Sequence, residues 1–148
     1  MPDGLEIRRA RPEEITACAD LYLKVLVDTF TWAPPERHDR REFIRSVQTE
    51  EIYVAAEDGR IVGVAGFYRP MRFLHSLYVA ERGRGIGKAL LDHVAARAGG
   101  PLSLKVQAQN LRAQAFYARE GFTAMERGRD PGSDVTWIRL LREASPKS

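Results

Sequence analysis

The spacing of apolar residues along the chain predicts alternating strands and helices. Residues 5–10, LEIRRA, predict a short strand, and residues 12–30 carry apolar side chains at helical spacing. One face of this predicted helix carries Ile15, Cys18, Tyr22 and Val25. A proline pair at 34 and 35 interrupts the pattern, and a second, more polar helix is predicted up to about Val47.

Three consecutive strands are predicted in the middle of the chain. Residues 51–68 hold two β-rich runs joined at Asp58 and Gly59, a pair that favours a tight antiparallel hairpin. Residues 71–80, MRFLHSLYVA, predict the third strand. Apolar residues return to helical spacing from Ile86, and this helix is predicted to end at the GGP of 99–101.

The last third of the chain predicts a strand, a helix and two more strands. LSLKVQA precedes a helix that is capped by Asn110 and ended by Gly121, and FTAMERG and DVTWIRLL follow it. The final strand is predicted to be either an edge strand or a strand that closes the sheet. This order predicts one α/β (α+β) domain over residues 1–148, with a mixed, mostly antiparallel central sheet flanked by helices and a mobile tail at 143–148.

Composition narrows the class of protein. The 148 residues are 44% hydrophobic and 29% charged, which suits a single globular domain, and the net charge of +3 is scattered rather than concentrated in the stripe typical of nucleic-acid binding. Residues 1–14, MPDGLEIRRARPEE, have no apolar core typical of a signal peptide, and no run of about 18 uninterrupted apolar residues occurs in the sequence. The single cysteine and three separated histidines predict a cytoplasmic protein without a disulfide, a metal site or a membrane span.

Three glycines at alternating positions mark the most informative stretch, ERGRGIGKALL at 81–91. The stretch joins a predicted strand to a predicted helix, where unpaired amides and the helix dipole attract anions. A P-loop is excluded because its pattern fails at Arg82 and Ala89, and a dinucleotide fingerprint fails at Lys88. The stretch therefore predicts a phosphate site made mainly by main-chain amides.

Two motifs then resemble the GNAT superfamily of N-acetyltransferases that use acetyl-CoA. R-x-x-G-x-G runs from Arg82 to Gly87, and N-x-x-A-x-x-F-Y-x-x-x-G-F runs from Asn110 to Phe122. The order of predicted elements agrees with that fold over nearly the whole chain. The resemblance implies a splayed strand pair that forms an acyl-CoA cleft, with direct transfer of the acetyl group to a primary amine.

The resemblance also implies the residues of the coenzyme site. The strand before the turn would hydrogen-bond the pantetheine through its backbone, the turn amides would hold the pyrophosphate, and the second motif would flank the pantetheine. The implied coenzyme-binding residues are Leu77, Tyr78, Val79, Arg82, Gly83, Arg84, Gly85, Ile86, Gly87, Lys88, Asn110, Ala113, Phe116 and Tyr117. Whether Arg82 or Arg84 reaches the pyrophosphate stays open at this point.

Tyr117 and His75 are the predicted catalytic residues. A phenol titrating near ~10 can donate a proton to a departing thiolate whose acid titrates near ~8.5, which suits Tyr117, whereas an ammonium near ~10.4 needs a base. Some family members carry a glutamate where this chain has Phe73. His75 lies on the same side of a regular strand and is the predicted base, with Ser76, Tyr78, Glu81 or water as alternatives.

The acceptor and the assembly are less determined by the sequence. The resemblance implies that the irregular TFTWAPPERHD at 29–39 closes the amine side of the cleft, for a small-molecule or peptide amine. Trp32 and Phe30 could wall a pocket there, or Trp32 could instead pack the loop onto the core. The apolar final strand could pair two copies into a homodimer. Two other functions stay open: a coenzyme-binding sensor without catalysis, and an adaptor that binds phosphates through the basic turn.

Overall fold

The computed structural model of the chain describes residues 4–29, 40–81, 83–132 and 134–144. The helices are α1 (Ile15–Thr29), which follows a 3-10 turn at Pro12–Glu14, α2 (Arg40–Ser46), α3 (Ile86–Arg97) and α4 (Leu111–Arg119). The strands are β1 (Leu5–Arg9), β2 (Glu51–Glu57), β3 (Arg60–Tyr68), β4 (Phe73–Val79), β5 (Leu102–Gln107), β6 (Thr123–Arg129) and β7 (Thr136–Arg142). Every predicted helix and strand in the described ranges is confirmed.

The seven strands form one sheet in the order β1-β2-β3-β4-β5-β7-β6. Neighbouring strands are antiparallel except β4 and β5, which are parallel, so the predicted mixed and mostly antiparallel sheet is confirmed. Of the two predicted roles of the last strand, that of an edge strand is wrong. Strand β7 lies between β5 and β6 because it buries Ile138 and Leu140, while the polar β6 stays largely exposed at the edge.

The sheet divides the core into two clusters. The larger cluster joins the sheet to α3 through Ile86, Leu90, Leu91 and Val94, and the smaller one packs α1 and α2 on the opposite face. The predicted apolar face of α1 is confirmed, since its cysteine is fully buried and burial raises the pKa of the Cys18 thiol to about 12. This thiol is therefore a packing group.

Some predictions concern residues outside the described ranges. They concern the acceptor-side loop at 30–39, Arg82 and the end of the tail at 145–148. In the ranges that are described, no helix combines the length and the apolar content that crossing a lipid bilayer requires.

Candidate active site

Strands β4 and β5 touch only at their beginnings. Residue pairs form between Phe73 and Ser103 and between Leu74 and Leu104, and beyond Leu74 the two strands part while β4 stays paired with β3. A cleft of about 850 Å³ opens along the parted length of β4, between the start of α3 and helix α4. The splayed strand pair expected from the sequence is present.

The backbone of β4 presents hydrogen-bonding groups to this cleft. The amide of Ala80 donates to the carbonyl of Val62 on β3 at 2.9 Å, so the main-chain groups of Ala80 point away from the cleft. Since these groups alternate in direction along a strand, Leu77 and Val79 point theirs towards the parted side. An extended ligand could therefore add to β4 as another strand would.

The glycine turn closes one end of the cleft. Gly83 and Gly85 have φ angles of +79° and +80°, the left-handed region that other residues rarely enter. Helix α3 begins immediately afterwards, so the amides of Ile86, Gly87 and Lys88 have no partner within the helix. Together with the helix dipole, these amides make a site suited to a diphosphate.

The described cations of the turn are already paired with carboxylates. Arg84 donates to Glu57 at the end of β2, and Lys88 lies 2.8 Å from Glu120 on the far side of the cleft. These contacts raise the pKa of Arg84 and of Lys88, and the guanidinium lowers the pKa of the Glu57 carboxyl. In the described part of the turn, the main chain is the group that stays available to an anion.

Helix α4 forms the opposite wall. Its cap is Asn110, whose Oδ1 accepts from the amide of Ala113 at 3.1 Å, and the same residue lines the cleft. Tyr117 also lines the cleft, with its ring 5.1 Å from that of Phe116 and 5.4 Å from that of Phe122. Burial among these rings raises the pKa of Tyr117, so its phenol stays protonated at neutral pH.

Most predicted site residues therefore meet in one cleft. Those that line it are Leu77, Tyr78, Val79, Gly83, Gly85, Ile86, Gly87, Lys88, Asn110, Ala113, Phe116 and Tyr117. The structure adds residues that sequence reasoning missed, namely Lys24, Val25, Ala80, Arg112, Arg119 and Glu120. Arg84 and His75 are not among the described lining residues. The lining residues from α1 could not be found by motif, because their place depends on how that helix crosses β4.

His75 lies where β4 leaves β5. Gly66 pairs with Ser76 and Phe67 pairs with Leu74, so His75 is an extra residue in a β-bulge. The prediction of a regular strand at this position is thus wrong. The imidazole is half exposed, and its Nδ1 lies 2.7 Å from Oε2 of Glu50, a residue the sequence analysis did not single out.

No metal centre is indicated in the described ranges, where no three His, Cys, Asp or Glu residues come close enough to hold an ion.

Residues 16–122 match the model of the acetyltransferase (GNAT) family. The chain belongs to this family. Its motifs, sheet order and parted strands are accordingly those of a GNAT domain.

Two curated relatives carry acetyltransferase names. A mycothiol acetyltransferase from Jonesia denitrificans is 31% identical over 146 residues, which are 86% of this chain and 46% of the relative. A 5-NmdU N-acetyltransferase from Pseudomonas phage PaMx11 is 39% identical over 82 residues, which are 49% of this chain and 56% of the relative. The chain thus spans about half the length of these relatives.

Solved structures share the fold over nearly the whole chain. A GCN5-related N-acetyltransferase from Rhodopseudomonas palustris superimposes with a TM-score of 0.80 at 20% identity, covering 97% of this chain and 98% of that one. The yncA protein from Salmonella typhimurium, solved with its cofactor acetyl-CoA, superimposes with a TM-score of 0.70 at 19% identity, covering 99% and 97%.

Proposed function

We propose that the protein transfers the acetyl group of acetyl-CoA directly to a primary amine. The observation that carries the proposal is a continuous row of main-chain groups. It runs from the amides of the turn at 83–88 along Leu77 and Val79 to the point where β4 and β5 meet. A long ligand with an anionic end and an amide-containing arm matches this row, and family membership supports the same class of reaction.

The residues present fit acetyl-CoA. The turn amides would hold the diphosphate, while Ala113 and Phe116 would pack against the arm opposite β4. A Cβ on Gly87 would stand 3.6 Å from Phe116 Cζ, so the glycine keeps the cleft wide near the start of α3. Because Arg84 is held by Glu57, we assign the diphosphate chiefly to the main chain rather than to that guanidinium.

When bound, the coenzyme supplies an electrophilic acetyl carbon and a thiolate leaving group. Tyr117 is the proposed acid. Its phenol lies in the cleft and stays protonated, so it donates a proton to the sulfur as the C–S bond breaks. His75 is the proposed base for the acceptor ammonium, placed at the end of the row of main-chain groups.

The acceptor is a small-molecule or peptide amine in the cytoplasm, and residues 1–148 are proposed to act as a single catalytic domain. The two relatives are named for mycothiol and for 5-NmdU, which are chemically unlike each other. A useful panel of acceptors therefore spans amino sugars, polyamines, amino acids, peptides and aminated nucleosides.

Binding and turnover test the proposal separately. Acetyl-CoA at about 100 times its Kd should stabilise the fold by about 2.7 kcal/mol, seen as a rise in Tm. Thiol release on the acceptor panel then reports turnover, with little background because Cys18 is buried. Binding without turnover on the whole panel would favour the sensor function, and the absence of binding would refute both.

Tyr117→Phe tests the acid. We expect kcat to fall about 100-fold, the scale of one general acid, while the Kd for acetyl-CoA changes less than about twofold. Tyr68→Phe is the control, because that tyrosine lies outside the lining of the cleft. Unchanged kcat in Tyr117→Phe, under conditions where chemistry limits the rate, would exclude the acid role.

A further inference from the structure

A buried carboxylate lies beside the point where β4 and β5 part. Glu50 ends the turn between α2 and β2, where its amide donates to Ser46, and its side chain is only 8% exposed. One oxygen, Oε2, contacts His75 Nδ1 at 2.7 Å. The other, Oε1, has no hydrogen-bond partner among the residues that the structure describes. A buried carboxylate in this state destabilises the fold, which points to a role other than stability.

Gly66 provides the space for this carboxylate. A Cβ on Gly66 would stand 2.5 Å from Glu50 Oε1 and 2.7 Å from Ser76 Oγ, closer than side chains pack. The same position is 3.6 Å from Ile52, which belongs to the cluster beneath α1. Glu50 therefore lies on the α1 face of the sheet, whereas Tyr117 packs against the cluster on the α3 face.

The chemistry of the contact decides which imidazole nitrogen can act as a base. A carboxylate only accepts hydrogen bonds, so Nδ1 of His75 must be the donor. In the neutral ring the lone pair is then on Nε2, which is the nitrogen that can accept a proton. The bulge sets this half-exposed ring directly after the last β4–β5 pair, Leu74 with Leu104.

We propose that Glu50 is the positioning residue for the catalytic base His75, and that the acceptor ammonium approaches from the α1 face. This inference rests on the proposed acetyltransferase activity. Nε2 of His75 takes one proton from the ammonium and passes it to solvent. The freed amine nitrogen bonds the acetyl carbon as the C–S bond breaks, and Tyr117 gives its proton to the sulfur. The nitrogen then loses its second proton to solvent, and the Tyr117 phenolate takes a proton back from solvent, so that the phenol is restored.

Four variants test the pair. His75→Asn keeps an N–H group for Glu50 but removes the base, and we expect kcat to fall about 100-fold. Glu50→Gln keeps the shape and an acceptor oxygen, and we expect kcat to fall about tenfold. In the double variant the two losses should not multiply, because the residues act as one unit. The matched control is Glu51→Gln, which alters a carboxylate bonded by Tyr53 at 2.7 Å.

Stability separates a positioning role from a structural one. Because Oε1 of Glu50 has no hydrogen-bond partner in the part of the chain that the structure describes, Glu50→Gln should keep or raise the Tm while kcat falls. Glu51→Gln should lower the Tm and keep kcat. The Kd for acetyl-CoA should change less than about twofold in every variant, because the pair acts on the acceptor.

The outcomes also distinguish the two proposals. If the wild-type chain acetylates an amine but His75→Asn or Glu50→Gln keeps its kcat, the proposed roles of Glu50 and His75 are refuted. The proposed acetyltransferase activity is then retained. If the decrease in kcat of the double variant equals the product of the two single decreases, Glu50 and His75 do not act as one unit and their coupling is refuted. Failure of the wild-type chain on the whole panel would overturn the acetyltransferase activity itself, and the pair with it.

Discussion

At the scale of single residues, the three alternating glycines of the turn have different roles. Gly83 and Gly85 adopt left-handed φ angles, which only glycine enters without strain, and both residues line the cleft. Gly87 lies within α3, and its missing side chain leaves room beside Phe116 and Val79. The alternating pattern thus combines the conformational requirement of a main-chain phosphate site, at Gly83 and Gly85, with open space in the cleft at Gly87.

Gly85→Ala tests the conformational requirement. At φ +80° the substitution should cost about 1 kcal/mol of stability, and it should also weaken acetyl-CoA binding by about tenfold because the amides shift. Gly59→Ala is a matched control, since Gly59 has the same φ of +80° and the same open surroundings in the β2–β3 hairpin. The Tm should fall by a similar amount in both variants. Calorimetric Kd values that agree between Gly85→Ala and the wild type would contradict the assignment.

At the scale of elements, the sequence predicted nearly all helices and strands because each carries its own periodicity and its own turn signals. The coenzyme side of the cleft was predictable for the same reason, since its residues lie in two continuous motifs around Gly85 and Tyr117. What local patterns do not encode is strand order. The apolar alternation of β7 is compatible with an edge or an interior position in the sheet. The interior position follows from pairing with β6, whose polar residues stay exposed at the edge.

The acceptor side of the site could be predicted less well. Glu50 meets His75 only because β2, β3 and β4 align in register, and the bulge at His75 changes the direction that strict alternation would give. The pairing of Glu57 with Arg84 depends on the same alignment. Contacts between residues 25 or more positions apart follow from the sheet as a whole, not from any single segment.

The junction between β1 and α1 gives a pH-dependent prediction. Nη1 and Nη2 of Arg8 donate to Oε1 and Oε2 of Glu14 at 2.7 and 2.8 Å. These hydrogen bonds are the main reason why the pKa of the Glu14 carboxyl is lowered to about 2. Because the folded pKa is below that of the unfolded chain, near ~4.3, this stabilisation is complete above that pH and disappears as the pH falls towards 2.

Glu14→Gln should therefore lower the free energy of unfolding by about 1–3 kcal/mol at pH 7, and the difference from the wild type should vanish near pH 2. Urea unfolding at a series of pH values measures it. Glu13→Gln, in the same 3-10 turn but exposed, should change stability by less than about 0.5 kcal/mol. A difference for Glu14→Gln that is constant from pH 7 to 2 would show that the ion pair is not its source.

At the scale of the whole molecule, the sheet consists of two parts joined by little pairing. β1 to β4 form one part and β5 to β7 the other, and the pairs of Phe73 with Ser103 and Leu74 with Leu104 connect them. Both parts contribute a wall of the cleft, β4 from one and α4 from the region between β5 and β6. A ligand bound there therefore replaces the strand pairing that the sheet lacks, and its binding energy couples the two parts.

Amide hydrogen exchange along β4 tests this coupling residue by residue. Without ligand, the amides of Leu77 and Val79 face the cleft and should exchange quickly, whereas Tyr78 and Ala80 donate towards β3 and should be protected. Acetyl-CoA should slow exchange at Leu77 and Val79 by about tenfold or more, because the arm of the ligand then accepts from or covers them. Site-resolved NMR exchange gives the four rates. Protection that rises equally at all four amides would indicate general stabilisation of the fold instead of an added strand-like ligand on β4.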